Sequence, residues 1–75
     1  MKSLIEYVAK AIVDQPEAVV VSEEASDRGV IIKLQVAPDD KGRVIGREGR
    51  VAEAMRTLLR VRAAKEGSKV RLEIL

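Results

Sequence analysis

Three segments rich in β-branched residues are spaced very unevenly along this chain. The first two, residues 18–24 and 30–37, are separated only by the turn residues Ser26-Asp27-Arg28-Gly29, which predicts an antiparallel hairpin. The third, Val70–Ile74, follows after a long intervening segment. A connection of that length is what parallel neighbouring strands require. The spacing therefore predicts a mixed three-stranded sheet.

The segment before the hairpin has the pattern of an amphipathic helix. Ser3 and Glu6 form a capping-box pattern at its start. Pro16 is expected to end it, because proline lacks the amide hydrogen and restricts the residue before it. The apolar residues recur on one face at helical spacing, and they are Ile5, Val8, Ala9 and Ile12. We therefore expect a helix over residues 4–14.

The long connection is predicted to contain two helices. Pro38 ends the second strand, and Asp39 or Asp40 can cap a short helix over Lys41–Ile45. A loop with glycines follows, and a longer helix begins near Arg50 and stops at Gly67. The apolar stripe of this helix is expected to be Val51, Ala54, Met55, Leu58 and Leu59.

These elements give an α+β fold in one domain over residues 1–75, in the order α-β-β-α-α-β. Apolar residues alternate with more polar ones along the second strand, so one face of the sheet should be buried and the other wet. Three helices are then expected on one face. For a core this small, in a chain of 75 residues without cysteine, we expect either tight, idealised packing or added stability from self-association.

Composition excludes several functional classes. The chain has no His and no Cys, so an enzyme, a metal site and a cofactor are not expected. Tyr7 is the only aromatic residue, which excludes the aromatic stacking platforms of some RNA-binding folds. No apolar run reaches transmembrane length and Glu6 interrupts the place of a signal peptide, so we expect a cytoplasmic protein without membrane contact.

The basic residues are concentrated in the second half of the chain. The formal net charge is only +2, and most of the Lys and Arg residues lie between Lys41 and Lys69. Within this stretch, Gly46 and Gly49 stand between the short helix and the long one. Without Cβ atoms there, the backbone can turn sharply and approach a ligand, and exposed amides at a helix start attract anionic oxygen. The segment is therefore suited to a phosphate backbone.

This segment resembles the signature of the KH family, an apolar pair followed by Gly-x-x-Gly, here Val44-Ile45-Gly46-Arg47-Glu48-Gly49. The element order is similar to that of the type II, prokaryotic version of the KH fold across essentially the whole chain. Among these, the chain looks most like the bacterial one-domain KH proteins of the KhpA type, formerly the YlqC group.

The resemblance implies binding of single-stranded RNA, about four nucleotides, in a groove formed by the two core helices, the loop and an adjoining strand. It also implies a role as an RNA chaperone or post-transcriptional regulator, and pairing either with a second copy or with a larger KH-containing RNA-binding protein. The residues expected to contact RNA are Lys41, Gly42, Arg43, Val44, Ile45, Gly46, Arg47, Glu48, Gly49, Arg50 and Val51.

Two features of the sequence depart from the family pattern. Glu48 places a carboxylate in the loop, which should repel phosphate unless Arg47 or Arg50 neutralises it. Ala52 occupies a position where a larger aliphatic residue is common, so it either widens the groove or allows closer helix packing. An alternative function is also open, a protein–protein dimerisation or adaptor module with a degenerate loop. Arg56, Arg60 and Arg62 are expected to be solvated and lie outside the predicted site.

Overall fold

The computed structural model describes residues 1–75 and contains three α-helices and three strands. The elements are α1 (Lys2–Ile12), β1 (Val20–Ser26), β2 (Gly29–Gln35), α2 (Lys41–Ile45), α3 (Arg50–Glu66) and β3 (Val70–Ile74). Single turns of 3₁₀-helix lie between them at Pro16–Ala18, Pro38–Asp40 and Arg47–Gly49. The predicted order of elements is confirmed. None of the helices combines the length and apolar character needed to cross a lipid bilayer.

The sheet has the strand order β1-β2-β3 and is mixed, as predicted. β1 and β2 form an antiparallel hairpin that closes with Ser26 opposite Gly29. β2 and β3 are parallel, with Val30 opposite Val70 and Leu34 opposite Ile74. β3 therefore lies at one edge of the sheet, next to the helix that precedes it.

The core lies between the three helices and one face of the sheet. Ile32 and Leu34 of β2 are fully buried there, together with Ile5 of α1 and Met55 and Leu59 of α3. Removing a side chain of this size from water contributes about 1.5–3 kcal/mol. The alternating pattern of β2 produces this arrangement, because residues two apart in a strand point to the same face.

The opposite face of the sheet carries no helix and is largely polar. Lys33 of β2 lies opposite Glu73 of β3. The Lys33 ammonium also contacts the Glu24 carboxylate of β1 at 2.8 Å. The three charged side chains thus form a row across the strands on the wet face.

The predicted boundaries and capping of α1 are wrong in detail. The helix begins at Lys2, with Met1 as the N-cap and no side-chain capping bond. Ser3 therefore lies inside the helix, where the N–H groups two and three residues further on donate to helix carbonyls and are not free to donate to its hydroxyl. The helix ends at Ile12, and Pro16 begins the 3₁₀ turn that leads into β1.

The predicted apolar stripe of α3 is also wrong in part. Ala54 and Leu58 face solvent, because α3 is rotated so that a neighbouring stripe faces the core. That stripe consists of Ala52, Met55, Leu59 and Ala63. Its alanines allow the helix backbone to lie close to the sheet, which favours this face over the bulkier one.

Candidate nucleic-acid interface

The loop between α2 and α3 depends on glycine at position 46. α2 ends there with φ 78° and ψ 173°, and the Gly46 N–H donates to the Gly42 carbonyl at 2.8 Å. A Cβ at this position would lie 2.5 Å from Cγ2 of Val51. Only glycine fits here, because both the backbone angle and the nearby valine exclude a side chain.

The loop then turns through two more left-handed residues. Glu48 has φ 57° and Gly49 has φ 75°, and the Gly49 N–H donates to the Gly46 carbonyl at 3.1 Å. Left-handed backbone strains a residue with a side chain, so Glu48 holds this conformation at a cost of about 1–2 kcal/mol. The turn brings the chain directly to the first residue of α3.

Backbone N–H groups remain available at the tip of this loop. Arg47 and Glu48 are exposed, and neither donates its N–H in any of the backbone bonds of the turns and loops. α3 begins after Gly49 without a side-chain capping bond. Unpaired amides here coincide with the positive end of the helix dipole, a combination that favours an anion.

The apolar residues that flank the glycines have different environments. Val44 is fully buried in the core, so it supports the loop from below. Ile45 is 37% exposed beside it. Val51 is half-buried against Gly46, and Ala52 is buried, which assigns that alanine to close helix packing.

The cations near the loop fall into two groups. Arg50 Nη2 lies 3.6 Å from Glu48 Oε2, both side chains being well exposed, so Arg50 partly neutralises the loop carboxylate. Lys41 and Arg47 are exposed and take part in none of the ion pairs of the structure. Lys41 and Arg47 are therefore the cations most available to a bound phosphate.

Arg43 is already engaged with two carboxylates. Its Nη2 lies 3.0 Å from Asp14 Oδ2, and its Nε lies 3.6 Å from Asp40 Oδ1. These contacts join the end of α1 to α2. Of all the predicted site residues, Arg43 is the one whose charge is taken up most within the protein.

Asp40 is buried, and its side chain does not cap α2, contrary to the prediction. It is 1% exposed and makes no capping bond to α2. Its two carboxylate oxygens instead accept the backbone N–H groups of Asp14 and Gln15 at 3.1 and 3.0 Å. Asp39 is exposed. The buried carboxylate thus fixes the turn after α1 against the segment that leads to the loop.

A groove of about 560 Å³ runs between α3 and the edge strand β3. Arg56, Leu59 and Arg60 line it from the helix, and residues 70–75 line it from the strand. Since β3 is an edge strand, its outer backbone groups are free to bond to a ligand. Arg56 starts this wall six residues beyond Arg50, about 9 Å along the helix at 1.5 Å per residue.

The sequence interpretation set aside Arg56 and Arg60, which the structure places on this groove. Each lies near Glu53, at 3.8 and 3.4 Å, in exposed pairs that hold a side chain only weakly. Each residue directly follows a residue of the buried stripe, Met55 or Leu59. Their positions next to buried residues could have placed both arginines at the groove. That reasoning requires the buried face of α3 to be known, and the sequence analysis predicted a different face.

Comparison with known proteins agrees with this architecture. The family model described as the KH domain of KhpA and KhpB matches residues 2–74. RNA-binding protein KhpA of Clostridium perfringens is 47% identical over 75 residues, which cover all of both chains. The Caldanaerobacter subterraneus protein of the same name is 48% identical, again over the full length of both chains.

A more distant relative matches as well. RNA-binding protein KhpA of Aquifex aeolicus is 43% identical over all of this chain and 95% of its own. No solved structure gives a significant match. With a family model that spans nearly every residue and full-length relatives near half identity, the chain belongs to the KhpA/KhpB family of KH domains.

Proposed function

We propose that this protein binds single-stranded RNA through the Gly46–Gly49 loop and the groove between α3 and β3. The observation that carries the proposal is the exposed loop, whose unpaired amides lie beside the free cation Arg47. The names of its full-length relatives, RNA-binding protein KhpA, support the same ligand.

In this mechanism the loop holds the RNA backbone and the groove receives the bases. The N–H groups of Arg47 and Glu48 and the Arg47 guanidinium bind phosphate oxygens, while Lys41 adds a second charge. Bases then lie along the apolar part of the groove wall, around Val70 and Ile74. The edges of the bases form hydrogen bonds to the free backbone groups of β3. No aromatic residue lines the groove, so stacking on a side chain does not contribute.

Binding of this kind should be weak and only loosely selective. One loop touches few phosphates, and a single strand contributes a salt slope of about −0.7 per neutralised phosphate. The function that fits is non-catalytic, that of an RNA chaperone or post-transcriptional regulator in the cytoplasm. It needs neither metal nor cofactor.

The proposal is tested by replacing Arg47 and Glu48 with Asp. The double change makes the loop tip more negative by two charges and leaves both glycines in place. We expect binding to a short single-stranded RNA to be lost while circular dichroism shows the fold intact. Lys2→Asp on α1 is the matched control, since it changes net charge equally. RNA affinity equal in the two variants would exclude the loop as the binding site.

Useful affinity would come from pairing two such modules, since linked weak sites bind more tightly together. We propose that the outer face of α3 forms the pairing surface. Leu58 and Val61 lie on it and are 47% and 54% exposed, although both are large and apolar. The partner is a second copy of the chain or a larger KH-containing protein.

The same face favours the second candidate function, a protein adaptor. Leu58→Asp with Val61→Asp should abolish pairing in sedimentation experiments without unfolding the chain, because both residues lie outside the core. If adaptor function is the main role, partner binding will survive the change at Arg47 and Glu48. In that case no salt-dependent RNA binding will appear at micromolar protein.

A further inference from the structure

Two further depressions lie beside the groove between α3 and β3. A second depression, of about 290 Å³, is lined by Arg60, Lys69 and Val70 among others. A third, of about 240 Å³, is lined by Lys69, Val70 and Arg71 together with the β1–β2 turn. Val70 lines all three. The three depressions therefore adjoin one another at the start of the edge strand.

The third depression collects cations that have no partner. Arg28, Lys69 and Arg71 line it, and none of them takes part in an ion pair. No acidic side chain lines it, and Asp27, next to Arg28 in the turn, is not part of its wall. We call Arg28, Lys69 and Arg71 the sheet-end cations.

Backbone contacts hold these cations together although they come from separate segments. The Val30 N–H donates to the Lys69 carbonyl at 2.9 Å, which joins the start of β2 to the residue before β3. Ser26 fixes the turn, since its Oγ donates to the Gly29 carbonyl at 3.2 Å and accepts the Arg28 N–H at 3.3 Å. The cluster therefore belongs to the folded sheet.

We propose that the sheet-end cations bind phosphates of the same RNA strand after it leaves the α3–β3 groove. This inference rests on the proposed function and extends its footprint past the nucleotides held by the loop. The third depression is lined by three unpaired cations and by no carboxylate, which makes it complementary to a polyanion. The position of these cations next to the α3–β3 groove favours RNA over an acidic peptide. An acidic peptide would match their charge but would gain nothing from a groove that receives bases.

The test compares two lengths of oligouridylate, a tetranucleotide and a dodecanucleotide. Arg28→Gln with Lys69→Gln removes two of the cations, and Lys2→Gln with Lys10→Gln on α1 is the matched control. We expect the sheet-end variant to lose roughly 10- to 30-fold in dodecanucleotide affinity at about 0.1 M salt, with a salt slope smaller by about 1.4. Its affinity for the tetranucleotide should equal that of the wild type. Arg28→Lys with Lys69→Arg should retain the dodecanucleotide affinity.

The outcomes separate this inference from the proposed function. Equal dodecanucleotide affinity in the sheet-end and control variants overturns the inference alone. Loss of tetranucleotide binding in the sheet-end variant also overturns it, because the cations would then act on the groove itself. No binding of either RNA by the wild type overturns the proposed function. A glutamate decapeptide whose binding depends on Arg28 and Lys69, while dodecanucleotide binding does not, reassigns the cations to a protein partner.

Discussion

At the scale of single residues, two glycines of the α2–loop segment are under very different constraints. Gly46 has left-handed backbone and Val51 against it, whereas a Cβ at Gly42 would meet no atom within 4 Å. Gly46→Ala should therefore lower the free energy of unfolding by roughly 1–3 kcal/mol. Gly42→Ala should raise it by about 0.5–1 kcal/mol, because alanine is the better helix former. Urea denaturation of both variants measures the difference, and equal stabilities would contradict the loop geometry.

Residue identities near the loop were largely readable from sequence, but their partners were not. The glycine spacing and the apolar pair predicted where the loop lies. The engagement of Arg43 by Asp14 could not be predicted, since the two residues are distant in sequence and meet only when α1 packs beside α2. The tertiary fold determines whether a charged side chain contacts solvent, a ligand or another side chain.

At the scale of elements, Asp40 joins the connection after α1 to the start of α2. Asp40→Ala removes the acceptor of two backbone N–H groups and leaves them unpaired in a buried site. Bonds to a charged group contribute about 1.5–3 kcal/mol each, so we expect a loss of about 3 kcal/mol or more in unfolding free energy. Asp39→Ala, the exposed neighbour, should change stability by less than about 0.5 kcal/mol. Thermal denaturation of the pair checks this, and similar losses would contradict the assignment.

The order of the elements was predictable because each has a strong local pattern. β2 alternates along its length and turn residues precede it, and the long connection required a parallel third strand. The face of α3 was not predictable in the same way. Two apolar stripes, offset by part of a turn, run along this helix, and only packing against the sheet selects the one with Ala52 and Ala63. The groove arginines were missed for that reason.

The charged row on the open face of the sheet predicts a dependence of stability on alkaline pH. The hydrogen bond and charge of Glu24 raise the pKa of Lys33 above its ordinary value of 10.5, Glu73 adds to the effect, and partial desolvation opposes it. A raised folded-state pKa gives stability that is present below the unfolded-state pKa and is lost as pH rises through the folded-state value.

The comparison that isolates this effect uses Lys33→Met. Above about pH 10.5, the wild type should lose unfolding free energy relative to the variant, because only the wild type has the ammonium to lose. Between about pH 7 and that pH the difference between them should be constant, because the Lys33 ammonium and its partner carboxylates all keep their charge there. Urea denaturation at a series of pH values measures it. Parallel curves through the alkaline range would show that the row contributes nothing.

At the scale of the whole molecule, the fold brings the loop and the edge strand to one continuous surface. The chain is only 34 Å along its longest axis, and α3 runs from the loop along β3, so one helix connects the Gly46–Gly49 loop to the groove. On the opposite sheet face, Lys33 lies between Glu24 and Glu73. The proposed RNA site thus lies on the α3–β3 side, and the proposed pairing surface lies on the outer face of α3.

The most direct test of this account is a titration of ¹⁵N-labelled protein with a short single-stranded RNA, followed by amide chemical shifts. We predict the largest changes at Arg47, Glu48 and Gly49, then along the groove at Leu59 and Leu72. The amides of β1, on the far edge of the sheet, should stay unchanged and serve as the internal control. Shifts confined to β1 or to the outer face of α3, with the loop amides unmoved, would contradict the central claim that the loop holds the RNA backbone.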